Sequence, residues 1–207
     1  LMRHYGITTP LKAYHEHNET AQAERLLSMV ADGKAVAIIS DAGTPSLSDP
    51  GFRAARLARE RNLPVIALPG ASALLTALVA SGLPSDRFSF AGFLPRKAGA
   101  LATALQEDFE RYAGSTVVYY ESPRRSEATL RAMIQVFGDD CQATLARELT
   151  KLHETIINGS LAQIVEEIEN GAILKGEVVL LVHLPPKVEA TWSDANLDVL
   201  LGEVMKT

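Results

Sequence analysis

The feature that most constrains this chain is a unit that occurs twice in its first half: a short uninterrupted apolar run, a loop dense in Gly, Pro and Ser, and then a helical pattern. Residues 35–39, Ala-Val-Ala-Ile-Ile, feed the loop "SDAGTPSLSDPG", and residues 64–68, Pro-Val-Ile-Ala-Leu, feed "PGAS". A run that is apolar at every position, and not at alternate ones, marks a strand buried on both faces. Two such runs separated by helices predict a parallel sheet with crossover helices, at about 30 residues per unit.

The helical segments carry their own signals. Ala23, Leu26, Leu27 and Val30 recur at helical spacing, and Gly33 sits where a left-handed residue ends a helix. Asp49 followed by Pro50 predicts an N-cap and first helical residue for a helix reaching Asn62, with Arg53, Arg56, Arg59 and Arg61 on its solvated face. Ser72 caps the helix 73–80, which is apolar nearly all round and is therefore predicted inside the protein or at a subunit interface. Gly82 and Pro84 end it.

Around "FLPRK" the rhythm changes. A polar helix at 98–112, a strand at 116–120 and a helix running from "ESPRR" through Phe137 are followed by two strands, 142–146 and 153–157, with no helix between them. That closeness predicts a partly antiparallel sheet. Ser160 and Gln163 form a capping box for a helix at 161–169, and 176–182 is the last strand. The class is α/β, read as two lobes: 1–94 with a parallel sheet and 95–187 with a mixed sheet, followed at 188–207 by the start of a tail.

Composition narrows the function. The 207 residues are 47% hydrophobic and 22% charged, enough to bury a substantial core. The single cysteine, Cys141, excludes an internal disulfide, and no apolar run is long enough to span a bilayer, so a cytoplasmic setting is expected. A net charge of -5 limits any nucleic-acid contact to a local basic patch. The histidines lack metal-site spacing and no serine sits in a nucleophile elbow, which points away from metal and covalent catalysis. A first residue Leu1 in place of methionine, and a helical pattern still running at Thr207, lead us to expect a piece of a longer protein.

In open α/β sheets, ligands bind outside the carboxyl ends of strands, beside helix N-termini. Three loops here have that form: "SDAGTP", "LPGAS" and "YESPRR". Gly43 permits close backbone approach, Pro45 stiffens the turn, and Asp41 and Thr44 offer polar groups; a plain Gly/Pro turn accounts for them equally well. Capping alone accounts for Ser72. Glu121, with Arg124 and Arg125 after it, reads either as an arginine-anchored acid or as a surface ion pair. The run "ARELTKLHE" at 146–154 packs acids, bases and a histidine together without helical or strand periodicity, as a site loop does.

As an ordered set, "ISDAGTPSLSDPG", "LPGASALLTALVASGLPSDRFSFAGFLPRK", "YESPRR", "LARELTKLHET" and "KGEVVLLV" closely resemble the bacterial 16S ribosomal RNA cytidine 2'-O-methyltransferases of the decoding centre. These belong to the tetrapyrrole-methylase-like superfamily, and the resemblance runs from about Tyr5 to Val182. It implies two α/β lobes with S-adenosylmethionine in the cleft between them. The resemblance places the cofactor at Asp41, Gly43, Thr44 and Leu47, then at Ser72 and Ala73, at Tyr120, at Ala146 and Arg147, and at Gly176. Thr44 stands where the superfamily carries an aspartate, which leaves backbone contacts as the expectation there. The family also implies an additional opening strand before Leu1 and a helical tail beyond Trp192.

Transfer to a ribose hydroxyl needs alignment and a base for the departing proton. Glu121, Glu148 and Lys151 are the candidates for that base. Arg124, Arg125, Arg147 and Lys151 are the expected contacts to 16S rRNA of the small subunit. The family and the apolar helix 73–80 together imply a homodimer. Two other readings stand beside this one: a methyltransferase acting on a tetrapyrrole or another small molecule, and a non-enzymatic nucleotide-binding module.

Overall fold

A computed structural model describes residues 2–15, 17–171 and 175–187. Its framework is one five-stranded sheet of β1 (Phe88–Phe93), β2 (Thr116–Glu121), β3 (Gln142–Arg147), β4 (Thr155–Ser160) and β5 (Val178–His183), in the order β1-β2-β5-β3-β4. β1 runs parallel to β2, and every other neighbouring pair is antiparallel. The antiparallel component expected from the closeness of β3 and β4 is present, and it extends to both neighbours of β5.

The side-chain alternation of a strand sends successive residues to opposite faces, and here both faces are covered. Val117 and Tyr119 pack with Leu145, Leu180 and Val182 under three helices, α4 (Ala98–Tyr112), α5 (Pro123–Phe137) and α6 (Leu161–Glu169). Val118, Ala146, Val179 and Leu181 face the other way and pack under α3 (Ala73–Ser81) through Leu74, Ala77 and Leu78. Double coverage explains why the centres of β2 and β5 read as continuous apolar runs. The caps behave as local chemistry dictates: Ser160 Oγ accepts from Gln163 N at 3.3 Å while Gln163 Oε1 accepts from Ser160 N at 2.9 Å, and Gly82 closes α3 at φ +71°.

The first half departs from the sequence-based expectation. Among the described residues no strand forms before Phe88, so the predicted parallel sheet is absent and 35–39 and 64–68 belong to no strand. Ile39, Ile66 and Leu68 are 51%, 81% and 82% exposed. An apolar run specifies a segment suited to burial in a sheet, but a strand exists only where a neighbour completes the ladder. The helix 73–80 is likewise not wholly inside: Leu75 and Val79 face solvent opposite the buried Leu74 and Ala77. β1 has no counterpart among the predicted strands, because Ser89 and Gly92 interrupt its apolar pattern and a bulge lies between Phe90 and Gly92. It lies on the N-terminal side of the expected boundary at 94/95, yet it is hydrogen-bonded to β2. β4 starts at Thr155 and not at residue 153, since Glu154 N donates to Lys151 O in a preceding turn. The predicted tail helix falls in 188–207, outside the described residues.

α1 (Glu19–Ala31) and α2 (Phe52–Glu60) pack together, with the four arginines of the second helical segment exposed as expected. The N-cap of α2 is Gly51, not Asp49. Ser46 and Ser48 take left-handed conformations, turning the loop, and the buried Glu19 carboxylate accepts from Gly51 N at 3.0 Å and Arg53 N at 3.3 Å. A remote acid thus replaces a local cap. The Gly51 amide above all holds the Glu19 carboxyl below its ordinary pKa, with the Arg53 amide, Tyr14 and the Arg53 guanidinium adding to the effect against desolvation. A depressed carboxyl pKa gives stability that is present above the unfolded value and lost as pH falls through the folded one. Glu19→Gln is therefore expected to melt lower than the unmodified chain at neutral pH. The two melting temperatures should converge as pH falls through the lowered pKa of the folded Glu19 in a calorimetric pH series.

Candidate functional site

The loop after residues 35–39 and the loop after 64–68 are tied together by Thr44 Oγ1, which donates to Ala71 O at 2.8 Å. Asp41, Gly43 and Leu47 are exposed on the first loop. Gly43 has φ +76° and open space where a Cβ would stand, so its backbone is accessible from that side. The same loop reaches the bulge of β1, where a Cβ on Gly92 would lie 3.6 Å from Ser48 Oγ. Ser72 caps α3, accepting from Leu75 N at 3.4 Å, and Ala73 begins the helix.

Ala73 and Tyr120 are packed against the buried cluster that α3 forms with Ala146 and Val179. The Tyr120 ring meets Phe90 at 4.8 Å and Phe93 at 5.6 Å between centroids, both edge-to-face. Burial raises its phenol pKa above the ordinary value, the Leu74 backbone opposes that rise, and Asp49 and Glu177 add to it. The structure therefore brings Thr44, Ser72, Ala73, Tyr120 and Ala146 to one face of the sheet, although they come from four separate stretches of sequence.

The loop 148–154 is held by an ionic latch. Glu148 Oε1 accepts from Glu177 N at 2.8 Å and from Lys151 Nζ at 2.9 Å, and Lys151 Nζ also reaches Glu177 Oε2 at 3.0 Å. Glu148 and Thr150 have φ of +48° and +65°, conformations that a non-glycine residue adopts only when its surroundings hold it there. Gly176, at φ +91°, has no room for a side chain, because a Cβ there would collide with the Glu148 carboxylate. Arg147 reinforces the latch, donating from Nε to Lys175 O at 2.7 Å and from Nη1 to His153 O and Thr155 Oγ1, each at 3.3 Å.

This geometry revises the roles read from sequence for the catalytic candidates. Lys151 first, and then the Glu177 amide, lower the pKa of Glu148, while Glu148 and Glu177 raise that of Lys151. A more acidic carboxyl is a weaker base, and a stabilised ammonium releases its proton less readily. Glu121 is enclosed, its side chain 1% exposed. Its Oε1 accepts from Ser122 N at 2.7 Å, and its Oε2 accepts from Thr129 Oγ1 at 2.8 Å and lies 3.3 Å from Arg125 Nη2. Such a carboxylate orders the start of α5, with both oxygens engaged by groups of the chain itself. All three candidates for the base thus hold other parts of the chain.

The cations expected along RNA divide in the same way. Arg125 donates to Pro95 O at 2.8 Å and to Leu94 O at 3.4 Å, so it ties α5 to the loop after β1. Arg147 and Lys151 are engaged in the latch. Arg124 is exposed, with no ion pair or hydrogen-bond partner for its side chain among the described residues. Sequence reasoning passed over Phe93, Arg96 and Lys97, all exposed beside that loop. The signal available was the dipeptide Arg96-Lys97 after a proline at the end of an apolar stretch. A shallow surface depression along α4 at Thr103, Gln106, Glu107, Glu110 and Arg111 shares no residue with these loops.

Solved structures define the fold class. A diphthine synthase superimposes with a TM-score of 0.64 at 12% identity, covering 91% of this chain and 73% of its own. A uroporphyrin-III C-methyltransferase from Thermus thermophilus, solved in complex with S-adenosyl homocysteine, superimposes at 0.51 and 15% identity, covering 87% of this chain and 80% of its own. The fold is that of the tetrapyrrole-methylase-like α/β enzymes. The sequence matches the family Tetrapyrrole (Corrin/Porphyrin) Methylases over residues 2–165. The Ribosomal RNA small subunit methyltransferase I of Pseudomonas aeruginosa is 44% identical over 210 residues, covering 99% of this chain and 74% of that protein. Its namesake from Vibrio cholerae is 45% identical over 208 residues, covering 100% of this chain and 69% of that protein. The chain belongs to the tetrapyrrole methylase family and, within it, to the group that these two proteins represent.

Proposed function

We propose that this chain transfers a methyl group from S-adenosylmethionine to the ribose 2'-hydroxyl of a cytidine in 16S ribosomal RNA of the small subunit. The observation that carries this reading is the near-full-length identity to proteins named Ribosomal RNA small subunit methyltransferase I. The structure supports it through the gathering of Thr44, Ser72, Ala73, Tyr120 and Ala146 on one face. These residues fit an adenosine-bearing ligand: Gly43 offers open backbone, Tyr120 offers a half-buried aromatic surface, and Ala73 opens α3 beside them, with the buried Ala146 forming the floor beneath α3. In this reading the cofactor lies between 1–94 and 95–187, with Asp41, Leu47 and Gly176 at its margins.

When bound, S-adenosylmethionine supplies a methyl group on a positively charged sulfur. The chain's own contribution is orientation and exclusion of water, which bring large accelerations when acceptor and donor are held in line. Glu121 holds Arg125 and hence the loop at Leu94 and Pro95, while Glu148 and Lys151 hold the loop 148–154; we assign all three as positioning residues. The exposed Leu75 and Val79 of α3 suit a homodimer interface. The enzyme is placed in the cytoplasm, where its RNA substrate is made.

Labelled methyl transfer from S-adenosylmethionine to small subunits lacking the modification, followed by nuclease digestion, tests the reading. Label on the ribose of one cytidine is expected; label on a base, or only on an added tetrapyrrole, overturns it. Gly43→Val is expected to weaken calorimetric S-adenosylmethionine binding by roughly tenfold or more, because a branched side chain resists the left-handed backbone there.

A further inference from the structure

The end of the sheet where β1 and β2 finish carries a feature that neither the latch nor the cofactor face uses. Phe93 closes β1 with 63% of its surface exposed, although one side of its ring packs edge-to-face on Tyr120. An aromatic ring this exposed and yet held in place forms a platform. Just beyond it, Arg96 and Lys97 are both exposed, with no ion pair or hydrogen-bond partner for their side chains among the described residues. Arg125 draws the start of α5 against this loop by donating to Leu94 O and Pro95 O, which brings the exposed Arg124 to the same end of the sheet. Neither α4 nor α5 carries an acidic residue in its first turn, and Glu127, one turn on from Arg124, is paired with Arg131. On a chain of net charge -5, this is a local concentration of positive charge around an exposed ring.

We infer that Phe93, Arg96, Lys97 and Arg124 form a docking site for an unpaired stretch of RNA, with a base stacked on Phe93 and adjacent phosphates held by the three cations. The chemistry is that of single-strand recognition, in which an aromatic face takes any base and flanking cations follow the backbone. A duplex would present its bases only to one another, leaving the ring nothing to stack on. Because Phe93 touches Tyr120, a nucleotide stacked there lies beside the face assigned to the cofactor. The site deepens the proposed function by naming where the acceptor strand enters, and it rests on that reading.

The test uses the whole protein, binding of a labelled single-stranded RNA oligonucleotide read by fluorescence anisotropy across a salt series, and methyl transfer to small subunits. Phe93→Leu keeps apolar packing on Tyr120 but removes the stacking face, and should weaken RNA binding by about tenfold, while Phe93→Tyr restores it. The pair Arg96→Glu and Lys97→Glu should lower the slope of log affinity against log salt by about one for each phosphate left without its cation. The KM for small subunits should rise, and calorimetric S-adenosylmethionine affinity should stay unchanged. Unaltered RNA affinity and KM in these variants would overturn the docking site. Displacement of RNA by an equal charge concentration of polyglutamate would overturn it too, indicating a site for an acidic protein. Failure of the proposed function reads differently: oligonucleotide binding would still respond to the variants while no ribose methylation occurred in any of the proteins.

Discussion

Glu121→Ala is expected to cost about 3 kcal/mol of stability, the range in which breaking a buried, hydrogen-bonded ion pair falls. The carboxylate has three partners, the Ser122 amide, the Thr129 hydroxyl and the Arg125 guanidinium. Its removal strands a buried hydroxyl and a guanidinium whose side chain is only 27% exposed. Urea denaturation measures the loss, and Glu121→Gln, which keeps an acceptor but not the charge, should lie between Glu121→Ala and the unmodified chain. The consequence extends beyond stability. Arg125 is the tie between α5 and the loop at Leu94 and Pro95, so in the Glu121→Gln protein, which stays folded, the KM for RNA substrate should rise more than kcat falls. An unchanged KM would show that the loop is held without this chain of interactions.

Substituting Gly176 has the second large effect. Any Cβ there collides with the Glu148 carboxylate, and the residue itself sits at φ +91°, so Gly176→Ala combines backbone strain with eviction of Glu148 from its place. Left-handed strain for alanine alone is about 1–2 kcal/mol. The displaced Glu148 then releases Lys151 and the turn at Glu177, and the loop 148–154 loses its anchor. We expect a destabilisation of about 2 kcal/mol in denaturant titration. Limited proteolysis should show new cleavage near the exposed Leu152, while Glu148→Ala in the same background should relieve part of the strain but not restore the loop. Cleavage unchanged from the unmodified chain would mean that Arg147 suffices to hold it.

Signals that act over a few residues are legible in the sequence. The helices at 98–112 and 161–169, the capping box at Ser160 and Gln163 and the left-handed Gly33 and Gly82 all follow from interactions that close within about one turn of chain. The gathering of Ser72, Ala73, Tyr120 and Ala146 is legible only through resemblance, because nothing in their spacing reports that α3 lies over β5 and β3. Glu121 illustrates the limit most clearly. An acid followed by two arginines reads equally as a catalytic group or an ion pair, and burial, which the sequence does not state, separates the two.

What the sequence determined by itself was the inventory: which segments favour helix, which are apolar enough to enter a sheet, and where the chain turns. Those choices are set by steric and hydrogen-bonding preferences of neighbouring residues, so they survive without knowledge of the rest. The tertiary structure decided pairing and engagement. It joined β1 to β2 across a helix, left 35–39 and 64–68 out of any strand, and capped α2 with Glu19 from 32 residues away. It also committed Arg125, Arg147 and Lys151 to intrachain bonds while leaving Arg96, Lys97 and Arg124 free of them among the described residues. The physical reason is that a strand ladder, a buried ion pair and a remote cap each need two groups distant in sequence, and only the packed chain fixes which two meet.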